Sequence, residues 1–557
     1  MAISFARPKR RFLNSIHYQV RESLVRISPF GAIVRTLTVS WCAICAIFAP
    51  ALSAATKDTA HERHVVLLVW DGMRPDFVGQ KTTPTLWQLA HEGVQFQNHH
   101  AVYPTSTEVN GAALATGTYP NRTSLLANRE YRPRIDFLHA IDTGDASSIK
   151  KGDETSGGNY LALPTVAELV RAAGRQAVIA GSKSAALLAD RHAEWTTALS
   201  EDKGLTVFAA APTSSALSAQ TQHMLGPFLT KAGISFADRN IYTTHVLTEI
   251  LWRNGIPDFS LLWLSDPDLT QHETAPGSPA SLAAIKSSDD NLARVLRALE
   301  KRHARATTDV IVVSDHGFST IERAIDFASL LRQAGFDAVS SFDNEPKPGQ
   351  IMVVGNGGTV LFYVIGHDPT VTAKLVDSLQ RSDCAGVIFA RDKFEGTFPL
   401  AAAQLTTADA PDLVIALRWT EKANQFGTAG SITTDAARGV GHGSHATLSR
   451  FDVHNICIAN GPHFRREFLD IAPTSNADVA PTIVNLLGLD RPDKMDGRVL
   501  GEAFASESEA PKAAAHRLEA TRQFSDRTWR QWLQISTYGG ASYLDQGNGA
   551  SEPIVNN

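Results

Sequence analysis

Short runs of consecutive apolar residues recur along the chain and alternate with segments whose apolar positions repeat at helical spacing. Val65–Trp70 is apolar at every position, which is typical of a strand buried on both faces of a sheet. The other predicted strands are 177–180, 259–264, 310–313 and 455–459, and the predicted helices are 83–89, 163–172, 281–299 and 479–487. Because strands alternate with helices, the pattern predicts an α/β fold with a mainly parallel central sheet and helices on both faces.

Some segments depart from this alternation. Residues 133–160 and 195–240 are rich in Gly, Ser, Thr and Ala, and we predict loops or small insertions near a site. Residues 320–435 contain strands and a helix, and are predicted to form an inserted accessory subdomain. The tail 506–557 is polar at first and then carries Trp and Tyr residues, which predicts a C-terminal extension that partly packs back. We therefore predict one catalytic domain over residues 60–505.

The N-terminus combines a basic segment, an apolar run and small residues. Residues 1–35 contain seven Arg or Lys residues and one acid, and residues 36–56 are uncharged. This order predicts a signal peptide over residues 1–55 and export to a bacterial periplasm or the extracellular space. A single membrane anchor is the alternative, but the apolar core is shorter than the ~20 residues that a span needs. We expect no stable membrane span once the signal is cleaved.

Composition and charge narrow the class of partner. Lys+Arg 52 against Asp+Glu 57 gives a net charge of −5, and 43% of residues are hydrophobic. These values exclude a disordered or polytopic membrane protein, and the acidic balance argues against binding to a nucleic-acid duplex. We expect a small-molecule partner, and the sequence gives no prediction of oligomeric state. Of the 4 cysteines, Cys384 and Cys457 remain after signal cleavage, either paired or as buried thiols.

Carboxylates and imidazoles stand where three predicted strands end. Asp71 follows the first strand directly, Asp315 and His316 follow 310–313, and Asp268 with His272 comes soon after 259–264. One Asp after a strand is usually a turn or cap residue. Three such ends meet at the edge where an α/β sheet holds its ligands. Mixed Asp and His ligands suit Zn²⁺ and similar divalent ions, so the sequence predicts a metal site.

Two further segments carry candidate chemistry. Thr105, Ser106 and Thr107 precede an Ala-rich helix, where a hydroxyl is either a helix cap or a nucleophile, and the pattern alone does not choose among them. The Gly-rich loop 439–446 contains His442 and His445, which are either surface residues or ligands.

Taken together, the order of these residues resembles the alkaline phosphatase superfamily, and within it the type I phosphodiesterase/nucleotide pyrophosphatase family, over about residues 65–500. The resemblance implies an alkaline-phosphatase-like fold and two divalent ions, with zinc expected. It implies that one ion is held by Asp268, His272 and His445, and the other by Asp71, Thr107, Asp315 and His316. Thr107 is then the nucleophile that forms a phosphothreonine intermediate, and Asn128 holds a non-bridging phosphate oxygen.

Departures from the family pattern bear on the substrate. Glu108 stands where nucleotide-cleaving members have an aromatic residue, and its charge would repel a second phosphate group. Lys183 resembles a phosphate-binding lysine of monoesterase members, but Ala185 stands where they have arginine. We predict that Asn128, Lys183, Glu108 and Tyr131 contact substrate, and we prefer His445 over His442 as the ligand.

The sequence therefore predicts an exported two-metal phosphodiesterase that acts on a small phosphate ester. A phosphomonoesterase or phosphonate hydrolase on the same scaffold is the main alternative. A catalytically silent binding protein is another.

Overall fold

The computed structural model describes residues 63–191, 195–199, 205–210, 214–229, 231, 233–506 and 512–554. The predicted signal peptide lies outside these residues. Within the described residues, no helix is both long enough and apolar enough to cross a lipid bilayer.

A nine-stranded sheet forms the centre of the molecule. In spatial order its strands are Phe468–Ser475, Val94–His100, Cys457–Asn460, Thr308–Val313, His64–Trp70, Phe259–Leu264, Ala177–Gly181, Leu205–Ala210 and Trp195–Leu199. The four consecutive strands from Thr308–Val313 to Ala177–Gly181 pair in parallel, whereas Cys457–Asn460 and Leu205–Ala210 run against their neighbours. The sheet is therefore mainly parallel, which confirms the predicted fold class.

Helices cover both faces of this sheet because its central strands are buried at every position. Val65, Leu67 and Val69 of one strand pack into one core, and the alternate residues Val66, Leu68 and Trp70 pack into the other. The α-helices are Pro84–Glu92, Thr107–Thr116, Pro120–Thr123, Ala146–Ser156, Val166–Ala172, Ser214–Leu225, Phe236–His245, Asp268–Thr274, Pro279–Lys301, Phe327–Gln333, Pro369–Arg381, Arg450–Val453 and Asn476–Leu486. Short 3₁₀ turns are Pro75–Phe77, Ser184–Ala189, Arg305–Thr307, Leu400–Ala403 and Gly501–Ala503, and a π-helical turn spans Val246–Leu251.

The two segments predicted as loops contain regular elements. Helix Ala146–Ser156 lies in the first, and in the second Trp195–Leu199 and Leu205–Ala210 extend the central sheet at one edge. Asp145 caps the helix by accepting bonds from Ser147 N and Ser148 N. The sequence analysis predicted loops or small insertions here, and it did not predict these elements because small and polar residues leave little hydrophobic periodicity to read.

Residues 319–444 form two smaller sheets. The six-stranded sheet is Ala338–Val339, Ile351–Asn356, Thr359–Val364, Leu413–Leu417, Ala385–Ala390 and Phe398–Pro399 in spatial order. The four-stranded sheet is Trp419–Ala423, Ala429–Asp435, Ser319–Ile325 and Gly443–Ser444. A two-stranded ribbon pairs Arg129–Glu130 with Ile141–Asp142. The last strand of the four-stranded sheet brings the Gly-rich loop back towards the central sheet.

The C-terminal residues form a three-stranded antiparallel sheet of Ala514–Gln523, Arg527–Tyr538 and Ala541–Pro553. Trp529 is fully buried and its indole N–H donates to Gly396 O at 2.9 Å. The domain boundaries at residues 60 and 505, and the status of 320–435 as a subdomain, stay predictions.

Candidate active site

The acidic residues of the site lie at the ends of three parallel strands. Asp71 follows His64–Trp70, Asp268 begins a helix shortly after Phe259–Leu264, and Asp315 lies just beyond Thr308–Val313. All three carboxylates are fully buried. Asp268 N donates to Asp71 O at 2.9 Å, so two of these strand ends are fastened to each other.

One group of ligand-type side chains consists of Asp268, His272 and His445. Asp268 Oδ1 lies 3.3 Å from His272 Nε2 and 3.6 Å from His445 Nε2. His272 sits one helical turn after Asp268, which puts both side chains on the same helix face. His445 arrives from the Gly-rich loop.

A second group consists of Asp71, Asp315 and His316. His316 Nε2 lies 3.3 Å from Asp315 Oδ2 and 3.7 Å from Asp71 Oδ1. The groups adjoin, because His316 Nε2 is also 3.9 Å from Asp268 Oδ1 and the His316 and His445 rings stack with centroids 3.7 Å apart. The seven predicted ligands thus converge, with Thr107 as the seventh.

Backbone carbonyls fix the orientation of the three imidazoles. His272 Nδ1 lies 2.9 Å from Gly443 O, His445 Nδ1 lies 2.8 Å from Thr105 O, and His316 Nδ1 lies 2.9 Å from Gly317 O. A carbonyl oxygen only accepts, so each Nδ1 donates a proton to its carbonyl and each Nε2 is the ring nitrogen that faces the carboxylates. That is the tautomer and the outer hydrogen bond that metal-binding histidines use.

The carboxylates show that the donor set suits cations. Asp268 Oδ1 and Asp315 Oδ2 are buried and have no hydrogen-bond partner within the part of the chain that the structure describes. A buried carboxylate oxygen without a donor is costly unless a cation supplies the missing charge. Within each group the spacings of 3.3 to 3.7 Å exceed the usual hydrogen-bond length but suit ligands that share one ion with bonds of about 2 Å.

The pKa values of Asp71 and Asp268 are shifted in opposite directions. Burial and the neighbouring Asp315 raise the pKa of Asp71 well above its usual value. For Asp268, burial acts in the same direction, but His272 and Lys183 outweigh it and hold the pKa well below the usual value. Burial also lowers the pKa of His272 and His445, so both rings are neutral near pH 7.

Thr107 is the candidate hydroxyl that reaches the ligand cluster. It is the first residue of helix Thr107–Thr116, and its hydroxyl oxygen lies at hydrogen-bond distance, 3.2 Å, from His316 Nε2. Thr105 instead donates to Thr447 O at 2.9 Å, away from the ligands. The geometry therefore favours Thr107 over Thr105 as the hydroxyl at the ligand cluster.

Asn128 and Glu108 lie beside Thr107. Glu108 N donates to Asn128 Oδ1 at 3.0 Å, which leaves the side-chain NH₂ group of Asn128 as the donor available to a bound oxygen. Glu108 is buried, and burial together with Asp142 raises its pKa to about 8. Its carboxyl packs against Gly144, where an added Cβ would lie 2.7 Å from Glu108 Oε1.

Lys183 occupies a position between the two ligand groups. Its Nζ lies 2.5 Å from Asp268 Oδ2 and 3.3 Å from Asp71 Oδ1. Burial lowers the pKa of Lys183, but Asp268 and Asp71 raise it above the usual value, so the ammonium stays charged. The lysine thus contacts carboxylates of both groups.

Tyr131 lies elsewhere. Its ring packs edge-on against Phe342 and Tyr363, and its hydroxyl donates to Phe137 O at 2.9 Å. The structure does not bring it together with the ligand cluster, and its role as a substrate contact stays a prediction.

The two histidines of the Gly-rich loop have different surroundings. His445 is 7% exposed and belongs to the Asp268 group, whereas His442 is exposed, with Nδ1 at 3.2 Å from His272 O. The geometry favours His445 as the ligand.

Several positioning residues escaped the sequence analysis. The Asn110 side chain accepts from Val102 N at 2.7 Å and donates to Ser106 O at 3.0 Å, which holds the loop before Thr107. Asn476 bridges Asn110 Oδ1 and Asp315 O, and Trp263 Nε1 donates to Asp71 Oδ2 at 2.8 Å. A buried indole N–H needs an acceptor, so the Trp in a buried strand was the available signal.

Gly72 is a further residue that the analysis missed. It has φ +71°, and an added Cβ would lie 3.0 Å from Asp268 Cβ and from Phe318. Its N–H donates to Asp315 Oδ1 at 3.0 Å, and glycine is required here to bring two strand ends together.

A third group, His100, His454 and Asp545, lies outside this cluster. His100 Nε2 is 2.6 Å from Asp545 Oδ1, which is a direct hydrogen bond and leaves no room for an ion between these atoms. Asp545 is the extra residue of a bulge in the C-terminal sheet, so the pair ties that sheet to strand Val94–His100.

Comparison with known proteins relates this geometry to a family. The family profile described as type I phosphodiesterase/nucleotide pyrophosphatase matches residues 65–431, more than half of the chain. A bis(5'-adenosyl)-triphosphatase of Xenopus laevis is 21% identical over 427 residues, covering 76% of this chain and 78% of that protein. A venom phosphodiesterase of Crotalus durissus collilineatus is 23% identical over 285 residues, covering 49% of this chain but 28% of that protein.

Solved structures show the same fold. Murine ectonucleotide pyrophosphatase/phosphodiesterase 5, an inactive variant in complex with AMP, superposes with a TM-score of 0.54 at 16% identity. The match covers 80% of this chain and 100% of that chain. At this identity the likeness speaks for the fold alone.

Proposed function

This chain belongs to the type I phosphodiesterase/nucleotide pyrophosphatase family, and we propose that it hydrolyses phosphodiesters with two divalent ions and a phosphothreonine intermediate. Membership of the family makes it a phosphoric ester hydrolase. The observation that carries the proposal is the convergence of two Asp/His groups beside the Thr107 hydroxyl. A complete set of ligand side chains favours an active enzyme over a silent binding protein.

The metal ligands in this proposal follow the two groups. Asp268, His272 and His445 would hold one ion, and Asp71, Thr107, Asp315 and His316 the other. Two divalent ions, with zinc expected, would supply Lewis-acid stabilisation of phosphoryl charge and a lowered pKa for hydroxyl groups. The unpartnered Asp268 Oδ1 and Asp315 Oδ2 support this fit.

The residues of the chain account for the chemical steps. Thr107 Oγ forms a bond to phosphorus and the alcohol leaves with a proton, after which water breaks the bond to Oγ and restores the threonine. The NH₂ group of Asn128 donates to a non-bridging oxygen and orients the phosphorus for attack. Helix Thr107–Thr116 begins at the same place, and the positive end of its dipole favours an anion there.

A diester is the favoured substrate because of Lys183 and Ala185. The Lys183 ammonium is bound to Asp268 and Asp71, and Ala185 is fully buried where a monoesterase would use arginine. A dianionic monoester needs more positive charge than this arrangement offers.

Comparison of two aryl substrates tests the assignment. We expect kcat/KM for bis(4-nitrophenyl) phosphate to exceed that for 4-nitrophenyl phosphate by at least about tenfold, a difference of roughly 1.4 kcal/mol in transition-state stabilisation. In Lys183→Met the diester-to-monoester ratio should not fall. A wild type that prefers the monoester, and loses only that activity in Lys183→Met, would establish the monoesterase alternative.

His445 and His442 provide a matched pair of variants. We expect His445→Ala to lose one equivalent of metal and at least about 10²-fold in kcat/KM, because Asp268 and His272 then lack their third ligand. His442→Ala should keep the metal content and the kcat/KM of the wild type. Metal analysis and kinetics on the diester measure both quantities. A larger loss of metal and of kcat/KM in His442→Ala than in His445→Ala would make His442 the ligand.

Acidification should release the two metal ions one after the other. The raised pKa of Asp71 means that protons compete for this carboxylate at a higher pH than for Asp268, whose pKa is lowered. The lowered pKa values of His272 and His445 extend binding in that group to lower pH. We expect metal content to fall first at the Asp71 group as the pH is lowered, and at the Asp268 group only at lower pH. Asp71→Asn should remove the first step, and simultaneous loss of both ions would contradict this order.

Export is part of the proposal. Relatives include venom and ectonucleotide enzymes by name, and residues 1–55 have the composition of a signal peptide. N-terminal sequencing of the mature protein from a producing cell tests it.

A further inference from the structure

We propose that the Lys183 ammonium competes with the divalent ion of the Asp71 group for one carboxylate oxygen, so that the two ions bind in a fixed order, the ion of the Asp268 group first. The inference rests on the proposed function, because it concerns the metal ions of the same site.

Lys183 reaches the site from the fourth parallel strand of the central sheet. Strand Ala177–Gly181 pairs in parallel with Phe259–Leu264. Just beyond its end, Ser182 N donates to Trp263 O at 3.0 Å. Lys183 is the next residue, and its backbone is extended. Because the carboxyl ends of parallel strands share one edge of the sheet, the ammonium arrives at the same edge as the three aspartates.

Both carboxylate oxygens of Asp71 are already in contact with protein donors. Oδ2 accepts from the indole N–H of Trp263 at 2.8 Å, and Oδ1 lies 3.3 Å from Lys183 Nζ. Trp263 is buried in the core on one face of the sheet, so Oδ2 stays occupied. Oδ1 is also the oxygen that faces the proposed ligand His316, 3.7 Å from its Nε2. An ion held by Asp71 and His316 therefore needs the oxygen that Lys183 contacts.

Asp268 differs, because its two oxygens have separate partners. Oδ2 lies 2.5 Å from Lys183 Nζ. Oδ1 faces His272 Nε2 at 3.3 Å and His445 Nε2 at 3.6 Å, and it has no hydrogen-bond partner among the described residues. An ion bound to Oδ1 thus leaves the contact between Lys183 and Oδ2 in place.

Charge acts in the same direction as these contacts. Carboxylates bind metal in their ionised form, and three ionised aspartates with one ammonium leave two negative charges, which one divalent ion neutralises. A second ion then enters a balanced cluster and meets the ammonium at close range, where burial makes the repulsion of like charges strong. We therefore expect the second ion to bind more weakly than the first.

Lys183 can release Asp71 and still pair with Asp268. Its contact with Asp71 Oδ1 is the longer of the two, 3.3 Å against 2.5 Å. The Lys183 side chain is 15% exposed, so water can replace the lost acceptor. Binding of the second ion then exchanges one ammonium–carboxylate contact for a metal–carboxylate bond, and the ammonium keeps its proton.

Stepwise zinc-binding constants test the proposal. Metal-free protein is titrated with zinc at pH 7 in competition with a chromophoric chelator, which gives one dissociation constant for each ion. In the wild type we expect the second constant to be at least about tenfold larger than the first. In Lys183→Met the second constant should fall by roughly tenfold or more and the first should change less, so that their ratio falls.

Further variants separate competition from general effects on the site. Lys183→Gln also removes the charge and should act as Lys183→Met does, whereas Lys183→Arg keeps a cation and should keep the weaker second ion. Lys286→Met removes another lysine that lies beside aspartates, on its own helix, and should keep both constants. Asp71→Asn should lose the second constant and keep the first, which assigns the weaker ion to the Asp71 group.

A ratio of the two constants that is unchanged or larger in Lys183→Met and Lys183→Gln would overturn the proposal, as would two equal constants in the wild type. Hydrolysis of bis(4-nitrophenyl) phosphate by the same samples at saturating zinc keeps the proposed function separate. Constants as expected without hydrolysis would contradict the proposed function alone. Hydrolysis with an unchanged ratio would contradict the competition by Lys183 alone.

Discussion

Thr107→Ala should reduce kcat/KM on bis(4-nitrophenyl) phosphate by at least about 10³-fold, because it removes the only oxygen proposed to bond to phosphorus. The hydroxyl lies 3.2 Å from His316 Nε2, and the side chain is buried beside the ligand cluster. Thr105, two residues earlier, donates to Thr447 O instead. Steady-state kinetics with the diester measure the loss.

Two controls separate nucleophile loss from structural damage. Thr107→Ser keeps the oxygen and should retain activity within about tenfold, while its acid-quenched reaction mixture should contain phosphoserine. Thr105→Ala should have a much smaller effect on turnover than Thr107→Ala. Full activity in Thr107→Ala with an intact fold would remove threonine from the mechanism.

Asp268→Asn and Asp71→Asn should both abolish turnover but change the metal-free protein in opposite directions. Each amide keeps the shape of the carboxylate and is a poor metal ligand, so a loss of about 10³-fold in kcat/KM is expected in both. Asp268 has a lowered pKa, so its ionised form stabilises the fold at neutral pH. Asp71 has a raised pKa, so its ionised form costs stability there.

Urea unfolding at pH 7 in a chelator measures these effects. We expect Asp268→Asn to lose on the order of 3 kcal/mol, because it leaves the Lys183 ammonium and two imidazoles without their shared carboxylate. Asp71→Asn should be neutral or stabilising. The stabilisation of the fold by ionised Asp268 should decrease as the pH falls to the pKa of the carboxyl group in the unfolded chain, about 3.9, and below it. Equal destabilisation by both variants at pH 7 would show that the two electrostatic environments are alike.

The fold was predictable where apolar runs were unbroken. Val65–Trp70 and the strands at 259–264 and 310–313 lie in the observed sheet because a strand buried on both faces must be apolar throughout. Helix ends shifted by a few residues, since caps such as Ser278 before Pro279–Lys301 act through side-chain bonds that periodicity does not show. Strand Leu205–Ala210 was missed because small and polar residues around it leave little hydrophobic periodicity to read.

Candidate site residues were predictable where strand ends and a family pattern coincided, as for Asp71, Asp268 and Asp315. The charged neighbours of each site residue were not predictable, because they come from segments that are distant in the chain. The Lys183 ammonium meets Asp71 across 112 positions of sequence, and this contact makes the lysine a partner of the carboxylates. Tyr131 is close to Asn128 in sequence, yet its ring belongs to the packing around Phe342.

The most direct test of the account is to locate bound metal by anomalous diffraction from crystals of the zinc-loaded protein, with metal analysis of the same sample. We expect two zinc ions per chain, one among Asp268, His272 and His445, and one among Asp71, Asp315, His316 and the Thr107 oxygen. A fully loaded protein with a single ion, or with zinc bound away from these side chains, would contradict the account.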